Sequence, residues 1–391
     1  MKKIEATRMS DSFCFTNANV LIENEFRKMP FSFEGESVVE AAEREIDLTG
    51  FHLLPGIIDL HGDGFERHLN PRPSAAFDKI LGLQSTEREL AANGITTAYL
   101  AQAYSWEGGY KSPTYAKDFL KAIEIYKKIS QTDLRVQIRY EVLMQEDENA
   151  LLDLITEFGI KYVVYNNHVP VVQKLWAEFP TRVEGWASQS GRTGDELLRV
   201  VNSLEKNIVA AHQKLKTLSQ HLPTLNVILG SHDDSSVDER KNYCNLGANI
   251  CEFPLSLTTA QYAKSVSSPV IMGAPNVVRG GSQSGNVSAV ELIMKGLCDA
   301  LVSDYHYPSL FTSAWKLEDT KVMKFEEAWS LISSGPAKIL GLRNKGDLSV
   351  GYQADFIVMN LYNRSIEATF CSGKPTFMTG DFAHKILHKA S

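Results

Sequence analysis

Between residues 55 and 344, short apolar runs that end in polar residues alternate with longer stretches of helical periodicity. Parallel strands buried on both faces read as near-continuous hydrophobic runs, and their alternation with helical patterns marks βα units. The runs predict eight strands, over 57–61, 95–101, 134–141, 160–167, 226–232, 248–253, 269–274 and 299–304, the number that closes a (β/α)8 barrel. Phe77, Ile80, Leu81, Leu90 and Ala91 recur near helical spacing, and Asn93-Gly94 ends that helix before Ile95-Thr96-Thr97 opens a strand. A further helical stretch over 195–222 makes one connection unusually long, as a binding wall, a subunit contact or plain packing would require.

The two ends have another texture. Short β-like runs at 13–15, 20–22 and 31–33 are broken by Asn, Gly and Glu, and the same pattern returns over 347–359 and 366–372. A small sheet needs three or more strands, and chain ends commonly lie close together. The expectation is one small β domain from 1–54 plus 345–391, beside a distorted TIM barrel over 55–344.

Composition narrows the function classes. At 43% hydrophobic and 22% charged, the 391-residue chain carries no biased tract, and a net charge of −7 excludes the basic footprint of a nucleic-acid or anionic-membrane surface. Cys14, Cys244, Cys251, Cys298 and Cys371 are odd in number and form no CxxC pair, which speaks against a disulfide framework or a thiolate zinc site. No apolar run approaches a membrane span of about 20 residues and the N-terminus shows no apolar signal core, so a cytoplasmic protein is expected. A homodimer is the default from base rates alone.

The chemistry sits at predicted strand ends. Pro55-Gly56-Ile57-Ile58-Asp59-Leu60-His61-Gly62-Asp63 places His61 and Asp63 two apart, on one side of an extended chain. Glu141, His168, His232 and Asp304 close four more strands, at the end of a barrel where sites are built. A lone His or Asp there is ordinarily a satisfied polar residue or a helix cap; six together can hold two divalent ions with an open position for water. Zn, Mn, Ni and Fe all accept such ligands. Lys161 starts its strand and therefore lies at the wrong end of the barrel to bridge them.

These blocks resemble the amidohydrolase superfamily, in a variant with Asp for the second His of His-x-His. More narrowly, the block from His61 to Pro73, Gly230-Ser231-His232-Asp233-Asp234, Glu252-Phe253-Pro254 and the block from Met272 to Asn286 resemble the α-D-ribose 1-methylphosphonate 5-triphosphate diphosphatases of phosphonate metabolism. The resemblance runs from about residue 51 to 311. It implies metal ligands at His61, Asp63, Glu141, His168, His232 and Asp304, with Asp304 also orienting the attacking water and taking its proton. Two departures stand out, one at Gln283 and one over 138–141 and 165–170, where the match is only loose. Gln283 occupies a position where the family favours His. The superfamily's middle ligands follow strands four, five and six, against three, four and five here, which predicts an early strand missed or a late one split.

A triphosphate needs cations and amide donors. Arg67, His68 and Arg72 follow the first ligand pair, and Arg279 enters the loop holding Gly280, Gly281 and Asn286, whose backbone N–H groups can cradle an anion. Without the resemblance, the glycines would make only a tight turn. Asp233 and Asp234 are candidates to orient the imidazoles, and His306 to touch substrate or to stand idle at the rim. Two other readings are a C–N hydrolase or deaminase acting on a small ring, favoured by a dry pocket without the arginines, and a non-catalytic barrel, which loss of ligands would mark.

Overall fold

The structure, a computed structural model, describes residues 12–72, 75–144, 148–282 and 285–389. Its centre is an eight-stranded sheet of β1 (Ile57–Gly62), β2 (Ile95–Tyr104), β3 (Asp133–Glu141), β4 (Tyr162–Asn166), β5 (Ile228–His232), β6 (Ile250–Glu252), β7 (Val270–Gly273) and β8 (Ala300–Val302). The strands lie in sequence order and every neighbouring pair is parallel. A parallel bridge between Gly62 and Asp304 joins the outer strands, with Asp304 N–H donating to His61 O at 3.0 Å and Asp63 N–H to Asp304 O at 2.9 Å. The sheet therefore closes as a barrel. All eight strands fall where the hydrophobic runs predict them, so no early strand is missing and no late one is split. The middle site residues do follow strands three, four and five.

Closure depends on Gly62. A Cβ there would stand 2.6 Å from Asp59 Oδ2 and 2.8 Å from Ser303 Oγ. Asp59 is fully buried and accepts from Ser303 Oγ at 2.5 Å and Ser303 N–H at 3.0 Å, tying β1 to the end of β8. The strand period then sorts β3: Gln137, Arg139 and Glu141 share one face, and Val136, Ile138 and Tyr140 enter the main apolar core on the other.

Around the barrel, the helix Lys79–Ala92 starts at Asp78, whose carboxylate accepts from the N–H groups of Ile80 and Leu81. Phe77 lies before this helix, and both Phe77 and Leu81 are exposed; the buried face is Leu83, Thr86, Leu90 and Ala91. The expected stripe is thus rotated, because Phe77 belongs to the approach rather than the helix. The long connection between β4 and β5 contains helices Val169–Glu178, Pro180–Ser188, Gly194–Lys206 and Ile208–His221. Thr193 and Glu196 form a reciprocal capping box at the start of the third.

The chain ends build two further sheets. Strands Ser12–Thr16, Phe31–Glu34, Ser37–Val39 and Glu45–Asp47 form one, and Phe51–Pro55, Asn19–Ile22 and Glu25–Lys28 join Phe356–Asn360, Ser365–Cys371 and Lys374–Met378 in the other. Phe15, Phe33, Phe356 and Phe370 fill the space between them, the last two stacked at 4.4 Å. Lys345 is buried and reaches Asp355 at 2.6 Å and Asp133 of β3 at 3.3 Å, linking this layer to the barrel. Among the described residues, no helix is long and apolar enough to cross a membrane.

Candidate metal centre

Six expected residues and two unforeseen carboxylates gather at the C-terminal ends of the barrel strands; six of the eight form two groups of three, with Asp63 and Asp304 near Arg139. The first is built on Glu252, the last residue of β6. Its Oε2 lies 2.8 Å from His61 Nδ1 and 3.2 Å from His232 Nδ1, while Oε1 accepts from Tyr162 OH at 2.6 Å and Gln137 Nε2 at 2.8 Å. All these groups are buried, and the imidazoles outweigh the cost of burial to hold the Glu252 carboxyl well below its usual range. An ionised Glu252 accepts from the Nδ1–H of each ring and leaves both Nε2 lone pairs to the site. His61 Nε2 is buried without a hydrogen-bond partner.

The second group joins Glu141 at the end of β3, His168 after β4 and Glu107 in the loop after β2. His168 Nδ1 stands 2.7 Å from Glu141 Oε1 and 3.0 Å from Glu107 Oε1. Burial by itself would lower the His168 pKa, but the two carboxylates outweigh it and raise it to about 9. Trp106 Nε1 and the His168 N–H each donate to Glu141 Oε2, both at 3.1 Å. Lys111 Nζ lies 2.7 Å from Glu107 Oε2, which also accepts from Trp186 Nε1. Against burial, Lys111 and His168 hold the Glu107 carboxyl far down. Arg192 donates to the carbonyls of Trp106 and Glu107, so the long β4–β5 connection walls in this group through Trp186 and Arg192.

Arg139 stands between the groups. Nη1 is 3.4 Å from Asp63 Oδ2, and Nη2 is 3.3 Å from His232 Nε2. Burial opposes its charge, and Asp63, Glu66, Asp233 and Asp304 more than restore it. Burial and then the neighbouring Asp63 charge push the Asp304 carboxyl up to about 7 and that of Glu66 up to about 8. Asp233, Phe253 and Asp304 all have left-handed backbone, with φ of 58°, 52° and 53°, where the chain bends sharply off β5, β6 and β8.

The structure separates the expected substrate groups. A cavity of about 230 Å³ brings Arg279, Gly281 and Asn286 to the same walls as His232, Asp233 and Asp304. Gly280 precedes it in left-handed backbone, with φ 81°, and Gln283 lies outside the described residues. Arg67 and His68 are instead drawn to Glu89 of the helix behind them, and Arg67 also donates to Tyr305 O at 2.9 Å. Arg72 lines another recess with Tyr110 and Tyr115. Asp234 faces away from the imidazoles and pairs with buried Arg240 at 3.1 Å, Asp233 Oδ2 is 3.7 Å from His232 Nε2, and His306 bonds Ser309 at 2.7 Å. Lys161 reaches Leu225 O at 3.0 Å, away from the centre.

Sequence reasoning left three contributors unassigned. Glu252 lies inside a quoted block without an assigned role, Arg139 shares a strand face with Glu141, and Glu107 sits beyond a strand expected to end at 101. The donor set suits divalent ions: His61, His232 and Glu252 offer ligand atoms within 4.8 Å of one another, as do Glu107, Glu141 and His168. The buried His61 Nε2, without a hydrogen-bond partner, is the atom such an ion would satisfy.

Comparison with known proteins agrees with the fold and the motifs. The amidohydrolase family model matches residues 258–379. The α-D-ribose 1-methylphosphonate 5-triphosphate diphosphatase of Escherichia coli (strain K12) is 28% identical over 358 residues, covering 88% of this chain and 93% of that protein. The N-acetylglucosamine-6-phosphate deacetylase of Pasteurella multocida superposes with a TM-score of 0.60 at 12% identity, over 93% of this chain and 99% of its own. The dihydropyrimidinase of Brevibacillus agri NCHU1002 does so with 0.55 at 12% identity, over 94% and 95%. The last two share the fold; the resemblance read from the motifs is borne out by the first two.

Proposed function

We propose that this chain, a hydrolase of the amidohydrolase superfamily, is a divalent-metal diphosphatase that converts a ribose 1-phosphonate 5-triphosphate to the 5-monophosphate and pyrophosphate. The observation that carries this reading is the cavity in which Asp304 and His232 face Arg279, Gly281 and Asn286, in a chain 28% identical to a diphosphatase of that substrate class.

His61, Asp63, His232 and Asp304 on one side, and Glu107, Glu141 and His168 on the other, are the residues that would hold the ions. Bound divalent ions supply charge neutralisation at phosphoryl oxygens and a nucleophile at neutral pH. The remaining steps fall to the protein. Arg279 and the amides near Gly281 seat the anionic chain, which positions the α-phosphorus for in-line attack. The water oxygen bonds to that phosphorus, its proton passes to Asp304, and the bond to the bridging oxygen breaks with pyrophosphate leaving. Arg67 and His68, both turned to Glu89, take no direct part.

A second reading, hydrolysis of a C–N bond in a small ring, is favoured by Phe253, Pro254, Met272 and Pro275 on the same cavity wall and by the removal of Arg67 and Arg72 from it. One assay separates the two: protein supplied with Zn or Mn is given the ribose triphosphate bearing a 1-phosphonate, and separately a cyclic amide. Pyrophosphate from the first and nothing from the second is expected; ring opening without pyrophosphate overturns the diphosphatase proposal.

A further inference from the structure

We infer that Tyr305 and, behind it, Arg67 are positioning residues for Arg279, and that they set how tightly the cavity holds an anionic chain without touching that chain themselves. The inference rests on the anion-binding reading of the cavity above and goes beyond it in giving a role to two residues that the reading leaves out.

Arg279 and Tyr305 share the cavity wall, and Arg279 Nη1 donates to Tyr305 OH at 3.2 Å. Arg279 is the last residue of the helix Ala274–Arg279, where the chain turns into left-handed Gly280. A side chain of that length loses rotamer freedom when it meets a ligand, and a partner that already holds it reduces the loss. The partner here is a phenol. It accepts one N–H and, unlike a carboxylate, brings no negative charge to compete with a phosphate. Arg67 shows the alternative, with the carboxylate of Glu89 where Arg279 has a hydroxyl.

Tyr305 is in turn held by its backbone. It follows Asp304, whose φ of 53° bends the chain off β8. Three successive carbonyls of this bend are taken: Ser303 O by the N–H of His306 at 2.9 Å, Asp304 O by the N–H of Asp63 at 2.9 Å, and Tyr305 O by Arg67 Nη1 at 2.9 Å. Arg67 is itself clamped, since Glu89 accepts from its Nη2 and its guanidinium lies over the buried Tyr307 ring at 5.6 Å. Gly64 keeps the path open: a Cβ there would stand 3.2 Å from Arg67 Nη1 and 3.3 Å from Tyr305 O. One residue thus meets both arginines, Arg67 through its carbonyl and Arg279 through its hydroxyl. A shift of the bend on loss of Arg67 is passed to Arg279 through the Tyr305 ring.

Calorimetric titration of Mn²⁺-loaded protein with tripolyphosphate tests this, in buffer holding excess Mn²⁺ so that the anion does not strip the protein. Tyr305→Phe, which removes only the hydroxyl, should weaken binding about three- to tenfold, the worth of one hydrogen bond. Arg67→Lys, which keeps the charge but not the fork that joins Glu89 to Tyr305, should weaken it at least about threefold. Neither change should weaken it further in Arg279→Ala protein, because both act through Arg279. With the ribose triphosphate bearing a 1-phosphonate, Tyr305→Phe should raise KM by the same factor and keep kcat within about twofold, whereas a loosened bend would lower kcat through Asp304. Unchanged tripolyphosphate binding in Tyr305→Phe or Arg67→Lys, losses that persist in full in Arg279→Ala, or a fall in kcat at constant KM overturns the inference and leaves the diphosphatase reading standing. Binding that follows the expected pattern with no pyrophosphate released keeps the inference and removes the diphosphatase. No binding of tripolyphosphate by the wild type overturns the inference together with the anion-binding reading of the cavity.

Discussion

At the scale of single residues, one carboxylate determines how two histidines face the site. Glu252 takes both Nδ1 atoms with one oxygen and is itself held by Tyr162 and Gln137 through the other. A neutral amide can match the shape but cannot accept from two imidazoles and a phenol with a full negative charge. Glu252→Gln should therefore weaken metal binding about 10–100-fold, as loss of such orienting partners does. Competition with a fluorescent chelator reads this directly, and unchanged affinity would refute the orienting role. The residues legible in sequence were those with a positional signature. His61 and Asp63 lie two apart after an apolar run, and His168, His232 and Asp304 end or follow runs of their own. Glu252 carries the same mark, as the last residue of β6 after Ile250 and Cys251, but its role could not be read because its partners come from β1, β3, β4 and β5. Glu107 was hidden in a loop, and Arg139, although the strand period puts it on the face of Glu141, is a cation and so did not read as part of a ligand set. The arginines were harder still: Arg67 and Arg279 look alike in sequence, and only the fold, which turns Arg67 to Glu89 and puts Arg279 on the cavity wall, tells them apart.

Elements show where periodicity suffices and where it does not. Buried parallel strands are apolar on both faces, so the eight barrel strands could be located without knowing their partners. The helix Lys79–Ala92 was visible, but its buried face was misjudged at Phe77, since spacing cannot say where the first turn begins when a capping Asp follows an exposed aromatic. In the strand Phe51–Pro55, His52 stacks on Phe26 at 4.3 Å. Its Nδ1 is buried without a partner, and burial lowers its pKa from 6.5 to about 4. Because the folded pKa lies below the unfolded one, its contribution is complete above pH 6.5 and is lost as pH falls toward about 4. With part of the ring exposed, the loss should be about 1–2 kcal/mol. His52→Phe should flatten this part of the stability profile in urea titrations at several pH values; a parallel profile in the variant would show that His52 does not titrate there.

For the molecule as a whole, the described strands of the N- and C-terminal segments pack at the end of the barrel where its strands start, and the candidate site lies at the other end. Lys345 joins Asp355 of the terminal layer to Asp133 at the start of β3, and β3 then runs through to Arg139 and Glu141 at its other end. This division, with stability built at the starts of strands and reactive groups at their ends, is the general economy of a TIM barrel. It also explains what the sequence could convey at this scale: the β texture at both ends announced the extra sheets, but not that the N-terminal strands would split between two of them.

The proposed activity is tested most directly by the initial rate of pyrophosphate release from a ribose 5-triphosphate bearing a 1-phosphonate, with metal-loaded wild type and Asp304→Asn measured side by side. Release by the wild type and a loss of at least about 100-fold in the variant are expected, since a positioned proton acceptor contributes about that much. No release by the wild type with any divalent metal, or an Asp304→Asn rate equal to the wild type's, would contradict the proposal.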